Sequence, residues 1–423
     1  MHPLLIQSIR VCLCALMFLG LTPEVRAKGK SHKVKRGESL GAIAPRYGCT
    51  ISELMSANPK LKSPDRIKIG QRLKIPRCVA GGPPSNCHWR AEHIDSKVLG
   101  EAMRKRGFSP PQKFRALVVK TTLSADGSRI EGHELWDYRK KGARPDGWNP
   151  ASTIKLFSGV SALQRIRALG FSPRAKVTFH DEGRDRTFAL DELYEDAVHW
   201  SKNVPHNRLV QLAGFDYLNG PEGPLQRAGL EHSYIMRAYA RAKWTGQGQS
   251  SSLRPSPAIT LKEGKKTRRI PAQKGTGKYP CYGAACTSLS DLTRMMCTLM
   301  LHEQLPPASR LAFGRRGASN EQGPHLQFIR QRLNRKRKGK KDPIWDTFER
   351  RFIPKDAQGA AAQGRPQLFR KNGFARQWAS ENIYVYLPGR RERWMVALAG
   401  YPGRYSLSKA ADIIATLIAE NAL

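Results

Sequence analysis

Ser152 and Lys155 stand three residues apart in the segment Trp148-Asn-Pro-Ala-Ser-Thr-Ile-Lys-Leu156, where the apolar spacing that follows predicts the start of a helix. Residues three apart on a helix lie on one face, with neighbouring Cβ atoms. If that face lines a cleft, the lysine amine can accept the serine proton and make the hydroxyl oxygen a nucleophile. The pair therefore predicts acyl transfer through Ser152. The alternative is a helix N-cap beside a solvated lysine.

Two short motifs follow this pair in the chain. Ser201 and Asn203 come soon after the helical pattern Leu190–Val198, and Lys371-Asn-Gly373 precedes a strand-like tail. Each motif has a structural alternative, because Ser and Asn are common in turns and Asn-Gly is a turn dipeptide. A shared site requires a fold that brings the three segments together.

In order and spacing, Ser-x-x-Lys, Ser-x-Asn and Lys-x-Gly resemble the three motifs of the penicillin-recognising serine enzymes, the D,D-peptidases and the serine β-lactamases. The resemblance covers most of residues 100–420, and its texture is closest to class A β-lactamases. It implies an antiparallel sheet flanked by helices, with a helical subdomain. It also implies an acyl-enzyme formed with D-Ala-D-Ala peptides or β-lactams, and we expect neither a metal nor a cofactor.

The resemblance implies a role for each matched residue. Ser152 forms the acyl-enzyme, and Lys155 accepts its proton. Ser201 relays a proton to the departing amine, while Asn203 binds an amide of the substrate. Lys371 supplies positive charge near the substrate carboxylate. The substrate-binding residues implied beside them are Asn372, Gly373 and Phe374, the last through a backbone N–H of the oxyanion hole.

Two departures from the family pattern bear on function. Asn372 stands where the family has Thr or Ser, so an amide replaces a hydroxyl that contacts the substrate carboxylate. The stretch Ile235–Trp244 corresponds to the Glu-x-x-Leu-Asn motif of class A β-lactamases, yet it contains no carboxylate to activate a deacylating water. An acyl-enzyme with a β-lactam should therefore persist, which favours a peptidase-like or penicillin-binding role. The alternative is a wall-binding scaffold without catalysis.

A separate pattern of strand, helix, helix and strand occupies residues 32–77. Its segments Gly37-Glu-Ser-Leu40, Ala57-Asn58-Pro59 and Gly70-Gln-Arg-Leu-Lys-Ile-Pro76 resemble the LysM domain. The resemblance implies a βααβ fold that binds glycans containing N-acetylglucosamine, here peptidoglycan. The alternative is a small module without a ligand. The glycan contacts it implies are Gly37, Glu38, Ser39, Leu40, Asn58 and Pro59.

The N-terminus predicts export. Arg10 precedes the apolar run Val11–Leu21, and Val25-Arg-Ala27 provides small residues for cleavage, which is the pattern of a signal peptide over residues 1–27. An uncleaved anchor is the alternative, although the run is short for a membrane span. No later stretch is apolar enough to cross a membrane. We therefore expect the mature chain in the periplasm, the cell wall or the extracellular space.

Six cysteines follow residue 27. Because they form no Cys-x-x-Cys and lie near no His pair, they predict disulfides rather than a metal site. Cys281 with Cys286 and Cys49 with Cys78 are two of the pairings that the sequence allows. The expected domain order is the signal peptide, the LysM-like module, a Gly- and Pro-containing linker at 78–95, and a serine hydrolase domain at 96–423.

Hydrophobic periodicity predicts an α+β class for this last domain. Helical patterns fill its middle, and an insertion rich in Gly, Ser, Lys and Arg spans Thr245–Tyr279. A last helix is expected at Ser406–Ile418. The expected strands are Phe114–Lys120, His133–Tyr138, Asn382–Leu387 and Trp394–Gly400.

The formal net charge of +39 favours a polyanionic partner. Nucleic acid and anionic wall polymers both fit, but export removes nucleic acid from reach. Peptidoglycan, with its glycan strands and stem peptides, is therefore the expected partner. The basic run Asn334–Lys341 is expected to be a solvated loop, or else a segment attracted to wall polymer.

Overall fold

The computed structural model describes the chain from residue 31 to residue 423. Outside the described residues lie 36–37, 39, 41–42, 44–53, 56, 62–66, 77–85, 88, 90–93, 140–149, 222, 237–238, 240–254, 282–283, 307–308, 312–323, 335–341, 353–365 and 402–403. The chain divides into two compact units, Met1–Cys78 and Val79–Leu423. In the described part, no helix is both long and apolar enough to cross a membrane.

The first unit is a small module with its own apolar core. Strand β1 (Ser31–Lys33) pairs antiparallel with β2 (Arg72–Lys74). Between the strands the backbone is helical at residues 40 and 43 and again at 54, 55 and 57. This arrangement agrees with the expected βααβ order. Its buried apolar residues are Val34, Leu40, Ile43, Leu54, Leu61, Leu73 and Ile75.

The second unit contains most of the secondary structure. Its strands are β3 (Ile94–Asp95), β4 (Arg115–Leu123), β5 (Ile130–Asp137), β6 (Lys176–Asp181), β7 (Arg184–Ala189), β8 (Tyr234–Ile235), β9 (Ala258–Glu263), β10 (Lys266–Ile270), β11 (Ala285–Cys286), β12 (Gln367–Ala375), β13 (Trp378–Tyr386) and β14 (Glu392–Gly400). Its α-helices are α1 (Val98–Lys105), α2 (Lys155–Ala168), α3 (Leu190–Val198), α4 (Asn203–Ala213), α5 (Phe215–Asn219), α6 (Pro224–Arg227), α7 (Leu289–Met300), α8 (Pro324–Leu333), α9 (Pro343–Phe352) and α10 (Arg404–Ala419).

A six-stranded sheet organises this unit, in the order β12-β13-β14-β4-β5-β3. Neighbouring strands are antiparallel except for β3 and β5. One face packs on α1, α9 and α10, and the other packs on a larger core that includes α2, α3, α4 and α7. Successive side chains of the central strands point alternately into the two cores, as a sheet covered on both faces requires. The expected α+β class is confirmed.

A second sheet, in the order β10-β9-β6-β7, was not expected from the sequence. The sequence predicts helices in this part of the chain, with an insertion at Thr245–Tyr279. The structure instead places the hairpin β9–β10 inside that insertion. The strand signal is weak because β10 and β7 are largely exposed and polar, so they lack the alternation of a half-buried strand.

The predicted linker, 78–95, belongs almost entirely to the second unit, and its C-terminal part is folded into that unit. Cys87 forms a disulfide with Cys297, and Trp89 is buried with its indole N–H donating to Ser290 Oγ. Strand β3 then joins the six-stranded sheet. The Gly and Pro residues at 81–84 dominate the composition of the segment and concealed the buried part that follows.

A second disulfide joins Cys281 to Cys286, which confirms that predicted pairing. Cys49 and Cys78 lie outside the described residues, so their predicted pairing stays a prediction. The partner of Cys87 was not predicted, because a separation of 210 residues leaves no local signal in the sequence.

Candidate active site

Ser152 lies in a 3₁₀ turn, Ala151–Ile154, that leads directly into α2. The carbonyl oxygen of Pro150 accepts hydrogen bonds from Thr153 Oγ1 and from Ser380 Oγ on β13, both at 2.6 Å. Ala151 has φ 48°, a left-handed conformation that a residue with a Cβ rarely adopts. The turn is thus tied to the sheet, and it leaves the Ser152 side chain half-buried.

Lys155 is the first residue of α2 and has no exposed surface. Its ammonium donates to the backbone carbonyl of Ser201 and, at 2.7 Å, to Asn203 Oδ1. A buried lysine needs such acceptors, because an ammonium without partners is costly to remove from water. Lys155 therefore connects the first motif to the second.

Ser201 lies in the short connection between α3 and α4, and its φ of 62° is also left-handed. Its hydroxyl oxygen is 3.0 Å from Lys371 Nζ, and Lys371 also donates to the carbonyl of Asn372 at 2.8 Å. Lys371 itself is buried. Ser201 thus contacts one lysine through its carbonyl and the other through its hydroxyl.

The segment Lys371–Gly373 lies within β12, an outer strand of the six-stranded sheet, and not in a turn. Its residues pair with Asn382, Glu381 and Ser380 of β13. This excludes the turn alternative that the Asn-Gly dipeptide allowed. The sequence predicts that the motif directly precedes a strand pair. In the structure it forms part of a strand pair, β12 with β13.

Gly373 is where β12 meets the Ser152 turn. A Cβ built on Gly373 would stand 2.6 Å from Ser152 N, 2.7 Å from Ser380 Oγ and 2.8 Å from Thr153 N. Real Cβ atoms do not approach backbone nitrogens this closely, so the contact requires glycine. The third motif is therefore packed against the N–H groups at the start of the first.

Two exposed aromatic side chains flank these residues in sequence. Trp200 precedes Ser201 and is 40% exposed, and Phe374 follows Gly373 and is 47% exposed. Asn372 is half-buried and lines a small, open pocket. The other residues that line this pocket are Val198, His199, Arg332, Asp342, Trp345 and Arg370.

A buried ion cluster lies behind Asn372. Arg370 donates to Glu381 at 2.6 and 2.8 Å and pairs with Asp342. Burial alone would lower the pKa of Arg370, but the two carboxylates outweigh burial and raise it. The cluster holds the middle of β12 directly beside Lys371.

Sequence reasoning missed two residues that contact this site, His206 and Tyr239. His206 is fully buried, and its Nδ1 is 2.8 Å from Ser158 Oγ. Burial, together with the charges of Lys155 and Lys371, holds the pKa of His206 well below its ordinary value, so the ring is neutral. A histidine three residues after Asn203 was the available signal. Tyr239 lies in the stretch Ile235–Trp244, where no sequence motif marks it.

In the first unit, the structure gives two predicted glycan contacts a structural role. Asn58 donates to the carbonyls of Leu54 and Lys74 and accepts from the N–H of Lys74, all within 2.8 Å. Leu40 is fully buried in the core, which excludes a side-chain contact with glycan. Its helical spacing with Ile43 already favoured the core.

Of the other four predicted contacts, the structure describes Glu38 and Pro59. Glu38 pairs with His32 Nε2 at 2.8 Å and accepts from the N–H of Lys35 at 2.7 Å. Pro59 is exposed. Gly37 and Ser39 lie outside the described residues. Over the described residues of both units, no group of three His, Cys, Asp or Glu side chains is arranged to hold a metal ion.

Comparison with known proteins identifies part of the first unit. Residues 32–76 match the family model of the LysM domain. The endolysin of Bacillus phage PZA is 47% identical over 47 residues, which are 11% of this chain and 18% of that protein. N-acetylmuramoyl-L-alanine amidase XlyB of Bacillus subtilis is 27% identical over 159 residues, which are 36% of this chain and 45% of that protein. The chain thus spans less than half the length of these relatives.

Solved structures with a similar arrangement include a β-lactamase from Sphaerobacter thermophilus and PBP-A. The first is 14% identical, with a TM-score of 0.44 over 78% of this chain and 99% of that one. The second is 14% identical, with a TM-score of 0.46 over 77% of this chain and 97% of that one. Both scores are below 0.5. The chain carries a LysM domain at residues 32–76, followed by an α+β unit in which three separate motifs meet around Ser152 and Ser201.

Proposed function

We propose that this protein is an exported, cell-wall-associated serine hydrolase or acyl-transferase that forms an acyl-enzyme on Ser152 with D-Ala-D-Ala-type stem peptides or β-lactams. The observation that carries the proposal is the convergence of the three motifs. Lys155 binds the carbonyl of Ser201, and Lys371 lies 3.0 Å from its hydroxyl. Gly373 packs on the backbone nitrogen of Ser152. A nucleophile, a base, a proton relay and N–H donors are the parts that acyl transfer needs.

Acylation would begin with proton transfer from Ser152 Oγ to Lys155 in its neutral amine form. The serine oxygen would attack the substrate carbonyl carbon, and the oxyanion would be stabilised by backbone N–H groups of Ser152 and Phe374. Such a donor contributes about 3 kcal/mol in related chemistry. Asn203, already hydrogen bonded to Lys155, would orient an amide of the substrate.

Collapse of the tetrahedral intermediate breaks the carbon–nitrogen bond and requires a proton on the departing nitrogen. Ser201 would give its hydroxyl proton to that nitrogen and would be reprotonated by Lys371, which already contacts its oxygen. Protons then balance, because Lys155 holds the one lost by Ser152 and Lys371 has supplied the one gained by the amine. The positive charge of Lys371 would also attract the substrate carboxylate.

The LysM domain would keep this unit on its polymeric substrate. Tethering raises the effective concentration of substrate at the site without changing the site itself. The relatives named above are an endolysin and an N-acetylmuramoyl-L-alanine amidase, names that fit a cell-wall setting. The two disulfides of the second unit suit an oxidising compartment, which supports export.

The test is labelling of the purified protein with fluorescent penicillin, followed by peptide mapping of the label. We expect wild type to be labelled on Ser152 and Ser152→Ala to remain unlabelled. Ser161→Ala is the matched control, because it removes a buried hydroxyl from the same helix α2. Labelling of Ser152→Ala equal to that of wild type would exclude the proposed nucleophile.

A second candidate is a wall-binding scaffold without catalysis. Asn372 and the absence of a carboxylate from residues 235–244 favour it. Both candidates bind peptidoglycan, so sedimentation with purified sacculi does not separate them. A deletion strain does: rescue by both Ser152→Ala and Lys155→Ala would favour the scaffold, and loss of rescue would favour the enzyme.

A further inference from the structure

Tyr239 is held on the helix that carries the second motif. Asn207 of α4 donates through Nδ2 to the Tyr239 carbonyl at 2.7 Å and accepts from the Tyr239 N–H at 2.8 Å. Asn207 follows Asn203 by one helical turn, so the two amides lie on one face of α4. The backbone position of Tyr239 is therefore fixed relative to the groups that bind Lys155.

The side chain of Tyr239 reaches the first motif in two ways. Its hydroxyl donates to the carbonyl of Ala151 at 2.7 Å, directly before Ser152 and at the residue with φ 48°. Its ring centroid lies 5.9 Å from Lys155 Nζ and 4.9 Å from the His206 ring. An ammonium near an aromatic face is attracted to the ring and shielded from water on that side.

Tyr239 is not placed to act as a base. Burial raises the pKa of its hydroxyl, and that hydroxyl already donates its proton to a carbonyl oxygen. It also brings no negative charge to the side of Lys155 that it covers. The chemistry available to it is positional: it can hold backbone and occupy space.

We propose that Tyr239 is a positioning residue with two separable effects: its hydroxyl holds the left-handed Ala151 so that Ser152 acylates efficiently, and its ring closes the space beside Lys155 to hydrolytic water. This inference rests on the proposed function for acylation at Ser152. The ring beside Lys155 is neutral, so it offers no base there that could activate a water.

Two variants separate the effects in the full-length protein. Tyr239→Phe keeps the ring and removes the hydroxyl, so we expect acylation by fluorescent penicillin to slow roughly fivefold while the half-life of the label is unchanged. Tyr239→Ala also removes the ring, so we expect the label to be lost roughly tenfold faster than from wild type, about the effect of a single positioning contact of 1.4 kcal/mol. Tyr194→Phe is the control, because it removes another buried tyrosine hydroxyl from the same core.

A merely structural role would not give this split between acylation and deacylation. Equal acylation rates in Tyr239→Phe and wild type would overturn the role of the hydroxyl. An unchanged label half-life in Tyr239→Ala, together with a retained melting transition, would overturn the role of the ring.

A second readout does not depend on penicillin. Acetylation of lysines by an N-hydroxysuccinimide ester, followed by mass spectrometry, measures how accessible Lys155 is, with buried Lys371 as the internal reference. We expect Tyr239→Ala to raise the modification of Lys155 relative to Lys371, and Tyr239→Phe to leave the ratio at the wild-type value. An unchanged ratio in Tyr239→Ala would overturn the covering role even if wild type were never labelled, whereas absent labelling alone would contradict only the proposed function.

Discussion

The ammonium nitrogen of Lys371 lies 3.0 Å from the hydroxyl oxygen of Ser201, although 170 residues separate them in the chain. An outer strand of the main sheet thus meets the connection between α3 and α4. The same Ser201 accepts a hydrogen bond from Lys155 through its carbonyl. One residue with a left-handed backbone therefore contacts two buried lysines.

Replacing Lys371 by alanine should remove the proton donor and the positive charge next to Ser201. Because proton transfer by a positioned group contributes about 10²-fold or more, we expect Lys371→Ala to slow acylation by penicillin roughly 100-fold. Stopped-flow or gel-based labelling kinetics measure this rate.

The control for Lys371→Ala is Lys120→Ala. Lys120 also lies in the main sheet and contacts Glu134 and two tryptophan rings, but none of the three motifs. The Lys120→Ala variant should be acylated by penicillin at the wild-type rate. Equal acylation rates for Lys371→Ala and Lys120→Ala would remove Lys371 from the mechanism.

Replacing Gly373 by alanine should displace the Ser152 turn from β12. The added Cβ would stand 2.6 Å from Ser152 N, which forces the turn or the strand to move. We expect Gly373→Ala to lower the acylation rate at least tenfold, because small misplacements of catalytic groups cost factors of about 10². Far-ultraviolet circular dichroism should remain that of wild type.

Gly132→Ala is the matched control for this substitution. Gly132 also lies in a strand of the main sheet, and a Cβ built on it meets nothing within 4 Å. Its acylation rate should be unchanged. Should Gly373→Ala acylate as fast as Gly132→Ala, the close contact with Ser152 would have no functional meaning.

The sequence predicts the main elements of this fold because their apolar periodicity is strong. Helix α3 spans Leu190–Val198 as expected, and the tail forms β13, β14 and α10 close to their expected positions. The second sheet could not be predicted in this way. The side chains of its outer strands β7 and β10 are mostly exposed or half-buried. Their sequences therefore lack the alternation of apolar and polar residues that marks a strand on a core.

The residues of the candidate site likewise fall into those that the sequence predicts and those that it does not. Ser152, Lys155, Ser201, Asn203 and Lys371 could be named from short motifs. The structure joins the last four by hydrogen bonds and packs Gly373 against the backbone nitrogen of Ser152. Tyr239 could not, because its importance comes from contacts with Asn207 and Ala151 that only the folded chain creates. The partner of Cys87 was hidden for the same reason.

Acid should destabilise the second unit through His133. Its ring lies 2.8 Å from the carbonyl oxygen of Asn86 and 2.8 Å from Thr121 Oγ1. Burial lowers its pKa to about 4, against the opposing effect of the Asn86 hydrogen bond. A histidine of the unfolded chain has a pKa of about 6.5, so between these two pH values the unfolded state binds more protons.

The stability that His133 contributes by staying neutral is therefore complete above pH 6.5 and is lost as pH falls towards 4. This residue should lower the free energy of unfolding by about 2 kcal/mol between pH 7 and pH 5. Denaturant unfolding at the two pH values measures the difference. His133→Gln should reduce it by that amount, whereas His232→Gln, at an exposed position, should not. An identical pH dependence in His133→Gln and wild type would contradict the assignment.

Asn58 should control peptidoglycan binding through the stability of the LysM domain. Its side chain makes three hydrogen bonds that join the second helical segment to β2. Loss of these bonds leaves backbone groups without partners, at a cost of about 1–3 kcal/mol, which is a large fraction of the stability of so small a domain. We expect Asn58→Ala to sediment poorly with purified sacculi at 37 °C and to label normally with fluorescent penicillin.

Lys60→Ala, which removes an exposed cation from the neighbouring turn, separates this effect from a loss of charge. Normal sedimentation of Asn58→Ala, or loss of penicillin labelling in the same variant, would contradict a division of labour between the two units.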